Sequence, residues 1–107
     1  MSNEPTDLDK DTLMSKKEEE DAMMIEFWAE WCGACKQMEP VFDDLAEDYG
    51  DEVFFGKVNV DDEREAAAEY EVRSIPTIIF LKDGELVDKV IGSQPKEQMA
   101  EKIEETF

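Results

Sequence analysis

Apolar and polar positions alternate along most of the chain in the manner of an α/β protein. Residues 23–28 form a nearly continuous apolar run that only Glu26 interrupts, which is typical of a central strand covered on both faces. Apolar side chains then recur at helical spacing and predict a helix over residues 35–49, with a kink at Pro40. The first unit of the fold is therefore a buried strand that leads into an amphipathic helix.

The segments that follow continue this alternation. A strand, a short helix, two strands and a final helix are predicted over residues 53–60, 65–70, 77–81, 86–91 and 93–107. Asp83-Gly84, between the last two strands, is a turn sequence that predicts an antiparallel hairpin. The order β-α-β-α followed by β-β-α predicts an α/β fold with a central mixed sheet flanked by helices on both faces.

Residues 1–22 differ in composition from the rest of the chain. They hold eight acids and three lysines, and few apolar side chains besides Leu13. We expect either an acidic polar segment that is partly ordered at most or a short helix through residues 16–20. Asp11 or Thr12 would cap this helix, and Leu13 would be its packing contact. Residues 23–107 are then the single domain.

Composition and charge exclude several classes of function. The 107 residues leave room for one domain, and 41% hydrophobic residues supply one compact core. Thirty acids against eleven bases give a net charge of −19, which disfavours nucleic-acid and anionic-membrane partners. Without histidine, the chain cannot build a Cys-His pair or a His-ligated metal site. No apolar run has the length of a membrane span or the form of an export signal, so we expect a cytoplasmic protein.

The two cysteines lie in the segment Trp31-Cys32-Gly33-Ala34-Cys35, between the first buried strand and the first long helix. A helix N-terminus offers unpaired amides and a partial positive charge, which favour a thiolate. The two-residue spacing lets Cys32 attack a partner disulfide and Cys35 resolve the mixed disulfide. This position favours a redox dithiol.

Two other interpretations of the pair stay open at this point. One CxxC segment can be half of a zinc or iron–sulfur site, but the chain has no other soft ligand, so only a dimer that shares two pairs could complete it. A static structural disulfide would close a short loop and add little stability. We therefore expect no bound metal and no cofactor.

The segment 27–36, Phe-Trp-Ala-Glu-Trp-Cys-Gly-Ala-Cys-Lys, resembles the active-site segment of the thioredoxin family. Other matching segments fall in the family's order and spacing, so the resemblance covers roughly residues 23–107. These segments are Lys57-Val58-Asn59-Val60-Asp61, Arg73-Ser74-Ile75-Pro76-Thr77, Phe80-Leu81-Lys82-Asp83-Gly84 and Gly92.

The resemblance implies the thioredoxin fold and the activity of a protein-disulfide reductase without a bound cofactor. Its partners would be disulfide-containing target proteins and a thioredoxin reductase, which re-reduces it, and we expect a monomer. It implies that Cys32 is the attacking thiolate and Cys35 the buried resolving thiol. It also implies a cis peptide before Pro76, beside the cysteines.

Glu26 is a carboxylate inside a buried strand, which is costly unless the group is paired, hydrogen-bonded or protonated. The thioredoxin pattern usually has Asp at this position, where it is thought to accept the proton of the resolving cysteine. Our hypothesis is that Glu26 does the same for Cys35, with a pKa raised by burial and tempered by Lys57. The alternative is that Glu26 reaches an exposed edge and is solvated.

Further site residues divide by position. Trp28, at a strand end, predicts core packing beside the site, whereas Trp31 beside Cys32 predicts a partly exposed contact for an incoming protein. By resemblance the same groove would include Ile75, Ile91, Gly92 and Ser93, although Ile91 could equally belong to the hairpin core.

The sequence departs from the family pattern in two places. Ala34 stands where proline is typical, which restores a backbone N–H near the Cys32 sulfur and predicts a less reducing potential. Gly33, Ala34 and Pro76 are therefore the candidate redox-tuning residues. The second departure is the N-terminal region, where residues 1–22 have too few apolar positions to make the family's first strand secure.

Two alternative functions use the same fold. A non-enzymatic interaction module would use the groove only for binding, and a disulfide oxidase or isomerase commonly has histidine between the cysteines, which this chain lacks. Residues 23–107 carry 22 of the 30 acids, so the charge coats the presumed domain and is not confined to the N-terminal segment. Such a surface predicts a host with a salty cytoplasm, where salt screens the self-repulsion.

Overall fold

The computed structural model describes residues 3–107, which form one five-stranded sheet and four helices. The elements in chain order are β1 (Thr6–Asp7), α1 (Lys10–Glu19), β2 (Ala22–Trp28), α2 (Gly33–Tyr49), β3 (Phe54–Asn59), α3 (Arg64–Glu69), β4 (Thr77–Lys82), β5 (Glu85–Ile91) and α4 (Lys96–Thr106). The predicted α/β class with a mixed sheet is confirmed.

The sheet has the strand order β1-β3-β2-β4-β5, so β2 is its central strand. β2 pairs in parallel with β3 and antiparallel with β4, and β1 joins the other edge of β3 in parallel. The near-continuous apolar run of β2 follows from this position, because neighbouring strands and helices on both faces leave little of it in contact with water.

Two apolar layers cover the two faces of the sheet. Met24 of β2 packs with Phe42 of α2 and Met99 of α4, so α2 and α4 lie on one face. Ile25 packs with Leu13 of α1 and with α3, so these two helices lie on the other. Because side chains alternate along a strand, Glu26 points to the same face as Met24, toward α2.

Of the two alternatives for the N-terminal segment, the structure has the helix, which is longer than predicted and follows a short strand. Residues 6–7 form β1 and residues 10–19 form α1, whose N-cap is Asp9 and not Asp11 or Thr12. Two apolar side chains are enough to anchor it, since Leu8 and Leu13 are both buried. Residues 3–19 thus contribute to the same sheet and core as residues 23–107.

The β4–β5 connection is the predicted antiparallel hairpin. Asp83 and Gly84 both have positive φ, 53° and 81°, which is the conformation that a two-residue turn of this kind requires. The α2 helix continues through Pro40, and the kink expected there stays a prediction. Among residues 3–107, no helix is both long enough and apolar enough to cross a membrane.

Candidate active site

The two cysteines lie where β2 ends and α2 begins, and they form a disulfide. Cys32 is the N-cap of α2, and its Sγ accepts a hydrogen bond of 3.1 Å from the backbone N–H of Cys35. Both residues are buried, with exposed fractions of 6% and 4%. The sulfur of Cys32 therefore lies at the positive end of a helix and accepts a hydrogen bond from one of its free amides.

The segment around Pro76 closes one side of this site. The Ile75–Pro76 peptide is cis, and the carbonyl oxygen of Ile75 lies 3.7 Å from the Cys32 Sγ. The backbone N–H of Gly92 donates to the Pro76 carbonyl at 2.8 Å, and Gly92 itself has a positive φ of 90°. These contacts bring Ile75, Pro76 and Gly92 together beside Cys32.

Glu26 is in the centre of the sheet and is 1% exposed. The alternative that it reaches a solvated edge does not hold, because β2 has a strand on each side. Neither carboxylate oxygen has a hydrogen-bond partner among residues 3–107. The pKa of Glu26 is raised to about 7, chiefly by burial, which Lys57 opposes and the acids Asp43 and Glu39 reinforce.

Lys57 lies beside Glu26 on the neighbouring strand β3, in direct register. Its ammonium nitrogen lies 4.5 Å from the centre of the Trp28 ring, within cation–π range. Trp28 is half-buried beside the cysteines, and its buried indole N–H has no acceptor within the described part of the chain. Trp28 thus fills the space between Lys57 and the disulfide.

A cleft of about 390 Å³ opens beside Cys35. Its lining residues are Trp28, Ala29, Glu30, Cys35, Lys36, Glu39 and Lys57. A larger cleft of about 570 Å³ lies between α1 and the β4–β5 turn and contains none of the predicted site residues. The smaller cleft is therefore the one that bears on the chemistry.

The rim of the site exposes apolar side chains. Trp31 is 69% exposed and Ile91 58% exposed, which favours the groove over the hairpin core for Ile91. Ser93 and the linking residues Gly33 and Ala34 are also exposed. The Trp31 indole N–H donates a hydrogen bond of 2.9 Å to the carboxylate of Asp61, a residue that sequence reasoning did not place at the site.

Sequence reasoning also missed two acids of α2. Glu39 lines the Cys35 cleft and Asp43 contributes to the raised pKa of Glu26. The spacing of Glu39, one helical turn after Cys35, places it on the same helix face and could have indicated it. Among residues 3–107, no group of three or more His, Cys, Asp or Glu side chains is arranged to hold a metal ion.

Comparison with known proteins gives one consistent result. A family model described as Thioredoxin matches residues 6–105. A curated thioredoxin from Staphylococcus epidermidis is 48% identical over 94 residues, which cover 88% of this chain and 90% of that protein. One from Staphylococcus aureus is 48% identical over 99 residues, or 92% of this chain and 91% of that protein.

The solved structures agree with the sequence comparisons. A structure of a mutant thioredoxin from Halobacterium salinarum NRC-1 superposes with a TM-score of 0.89 at 34% identity, covering 95% of this chain and 89% of that chain. The family match includes the segment of residues 6–19 that composition alone had set apart.

Proposed function

The chain belongs to the thioredoxin family, and from that premise we propose which of its residues carry each step of the reaction. It is a thiol–disulfide oxidoreductase that reduces protein disulfides through the reversible Cys32–Cys35 dithiol and disulfide. The observation that carries the assignment is the Cys35 amide donating to the Cys32 sulfur at the start of α2.

Cys32 begins the reaction as a thiolate. Its sulfur attacks one sulfur of a target disulfide, which breaks that S–S bond and releases the other target sulfur as a thiolate. The product is a mixed disulfide between Cys32 and the target. The amide of Cys35 and the α2 N-terminus support the negative charge on Cys32 before the attack.

Cys35 completes the reduction. Its thiol transfers a proton to the Glu26 carboxylate, and the resulting thiolate attacks the Cys32 sulfur, which breaks the bond to the target and forms the Cys32–Cys35 disulfide. The second target sulfur leaves as a thiolate, and both target thiolates take protons from the solvent. Two electrons have then passed from the cysteine pair to the target. A Glu26 pKa of about 7 suits this role, because a base with that pKa can take a proton and lose it again near neutral pH.

The exposed rim is the proposed surface for partners. Trp31 and Ile91 offer apolar contact area, and the partly buried Ile75 packs against the cysteines beside them. Disulfide-containing target proteins would dock here, and a thioredoxin reductase would dock on the same surface to return the two electrons. Gly33, Ala34 and Pro76 would tune the potential of the pair.

The proposed setting is the cytoplasm of a salt-loving host, where the protein works as a monomer without nucleic-acid or membrane partners. The net charge of −19 supports this setting, since screening at high salt makes dense negative charge tolerable. One structural relative is a thioredoxin from Halobacterium salinarum, which is consistent with it.

Insulin reduction with dithiothreitol as the electron source tests the function. We expect the wild type to accelerate precipitation of the insulin chains and Cys32→Ser to be inactive. Cys35→Ser should accumulate a covalent mixed disulfide with insulin that electrophoresis without reductant detects, and Cys32→Ser should not. Equal activity of the wild type and Cys32→Ser would contradict the proposed roles.

A further inference from the structure

The buried carboxyl of Glu26 shares one face of the sheet with several charged groups. Lys57 stands beside it on β3. Its partner on β4 is the apolar Ile78, so no charge faces Glu26 from that strand. The two acids that act on its charge, Glu39 and Asp43, lie on α2, which covers this face together with α4. On β1, Asp7 is in register with Lys57.

Along α2, Cys35, Glu39 and Asp43 follow one another at intervals of four residues and therefore lie in one row. Cys35 is buried, whereas Glu39 and Asp43 are exposed and flank the buried stripe of the helix. The row thus leads from the reacting sulfur to two carboxylates at the surface.

Both carboxylates share a cleft with Lys57. Glu39 and Lys57 line the cleft beside Cys35, together with the rim charges of Glu30 and Lys36. Asp43 and Lys57 line a second cleft of about 350 Å³, together with Glu4, Asp7, Asp44 and Glu47. Lys57 is therefore a common counter-charge for the buried acid and for the exposed acids of the two clefts.

The neighbouring charges act on the ionisation of Glu26 in opposite directions. Lys57 favours the ionised form of Glu26, whereas each exposed carboxylate disfavours it by like-charge repulsion. Glu39 and Asp43 also compete with Glu26 for the positive charge of Lys57, because each of them lines a cleft with it. Both effects make the buried carboxylate a stronger base.

We propose that Glu39, at the mouth of the Cys35 cleft, is a positioning residue of the reaction that acts through Lys57 and Glu26 to set the pH at which Glu26 takes the Cys35 proton. This inference rests on the role proposed for Glu26. Glu39 itself touches no reacting atom. Its effect is electrostatic and decreases with salt, because its side chain is exposed.

A titration of the oxidised protein tests the coupling directly. The Glu26 carboxyl carbon is followed by NMR in the wild type, in Glu39→Gln and in Glu18→Gln, the matched control on α1 across the sheet. We expect Glu39→Gln to lower the pKa of Glu26 by ~0.5 pH unit at low salt and by much less in molar KCl. Glu18→Gln should leave it unchanged, and equal values in the two variants would overturn the proposal.

Kinetics then connect the coupling to the reaction. In single-turnover reduction of a target disulfide, Glu39→Gln should move the acid limb of the pH profile to lower pH by the same amount. In a Glu26→Gln background the substitution should have no effect, and a shift that persists there would overturn the route through Glu26. If Glu26→Gln alone leaves the profile unchanged, the role of Glu26 fails instead, so the two failures are distinguishable.

Discussion

Glu26 and Lys57 lie in register on neighbouring strands, yet the ammonium of Lys57 rests on the Trp28 ring and both Glu26 oxygens lack a hydrogen-bond partner among residues 3–107. Burial without a hydrogen bond favours the protonated form of the carboxyl, and the neighbouring Lys57 offsets this only in part. The structure thus retains an unfavourable group at the centre of its sheet, on the face that α2 covers. Such a cost is typical of a functional residue.

Replacing Glu26 by Gln should stabilise the oxidised protein at high pH. In the native state the carboxyl titrates with a pKa of about 7, whereas its ordinary value is 4.5. Between these values the native state holds a proton that the unfolded state has lost, so the stability contributed by this group falls as pH rises. At 1.36 kcal/mol per unit of pKa, this shift lowers the free energy of unfolding by about 3 kcal/mol above pH 7.

Urea denaturation at pH 5 and pH 8 measures the difference between the two proteins. We expect Glu26→Gln to exceed the wild type by about 3 kcal/mol at pH 8 and by much less at pH 5. The exposed Glu18→Gln variant is the control for the loss of one surface charge. A stability difference that does not change with pH would contradict the raised pKa.

Ala34→Pro should make the cysteine pair more reducing. Ala34 lies in the first turn of α2, where backbone N–H groups have no acceptor within the helix, and the next N–H, that of Cys35, donates to the Cys32 sulfur. Proline removes one of these donors and leaves the thiolate of the reduced state less stabilised. A donor worth about 1 kcal/mol corresponds to roughly 20 mV.

Equilibration against a glutathione or NADPH couple gives the potential of each protein. Ala34→Gly keeps the N–H and is the matched control. A wild-type potential below that of Ala34→Pro would refute the argument.

Much of this fold could be predicted from the sequence because its elements are strongly patterned. The local sequence is enough to predict each of the apolar strand β2, the amphipathic helix α2 and the Asp83-Gly84 turn. For β1 it is not enough, because a two-residue strand has no measurable period and its pairing with β3 joins residues some fifty positions apart. The Asp9 cap was missed for a similar reason, since Asp11 and Thr12 are equally good capping residues.

The site residues also differ in whether the sequence alone reveals them. Cys32, Cys35 and Glu26 stand out in the sequence by motif or by an acid in a strand. Asp61 does not stand out among thirty acids, and its relevance comes only from the fold that brings it to Trp31. Glu39 differs from the other acids only by its four-residue spacing from Cys35, and its place beside Lys57 comes from the fold.

Gly56→Ala should destabilise the protein by displacing the N-terminal segment. A Cβ at Gly56 would lie 2.5 Å from Leu8 Cδ1 and 2.9 Å from Ile25 Cδ1. Overpacking of a buried site costs about 1 to 3 kcal/mol. A Leu8→Ala background removes the closer of these two contacts and leaves the one with Ile25, so Gly56→Ala should cost less there without becoming neutral. Urea denaturation of the four proteins gives the coupling, and additive effects would contradict this account of β1 docking.

Trp31→Ala should weaken reduction of protein disulfides more than reduction of small ones. The indole is exposed and held by Asp61, which suits an anchor for an incoming chain. We expect KM for insulin to rise on the order of tenfold, as for loss of an aromatic anchor, with little change for a small aromatic disulfide. Met14→Ala, which removes an exposed apolar side chain on α1, is the control. Equal losses on both substrates would contradict a docking role.

The melting temperature should rise steeply from low to molar KCl. Eleven basic side chains cannot neutralise thirty acidic ones, and only four salt bridges are formed within residues 3–107, all between partly exposed groups. Unpaired like charges repel more strongly in the compact state than in the extended one, and a Debye length of ~3 Å at 1 M salt removes most of that repulsion.

Sucrose, which stabilises without screening, separates this effect from general exclusion of solutes. The variant Asp44→Asn/Glu47→Gln, which removes two exposed charges from α2, should show a shallower rise. A melting temperature that stays flat in KCl would contradict the proposed adaptation to salt.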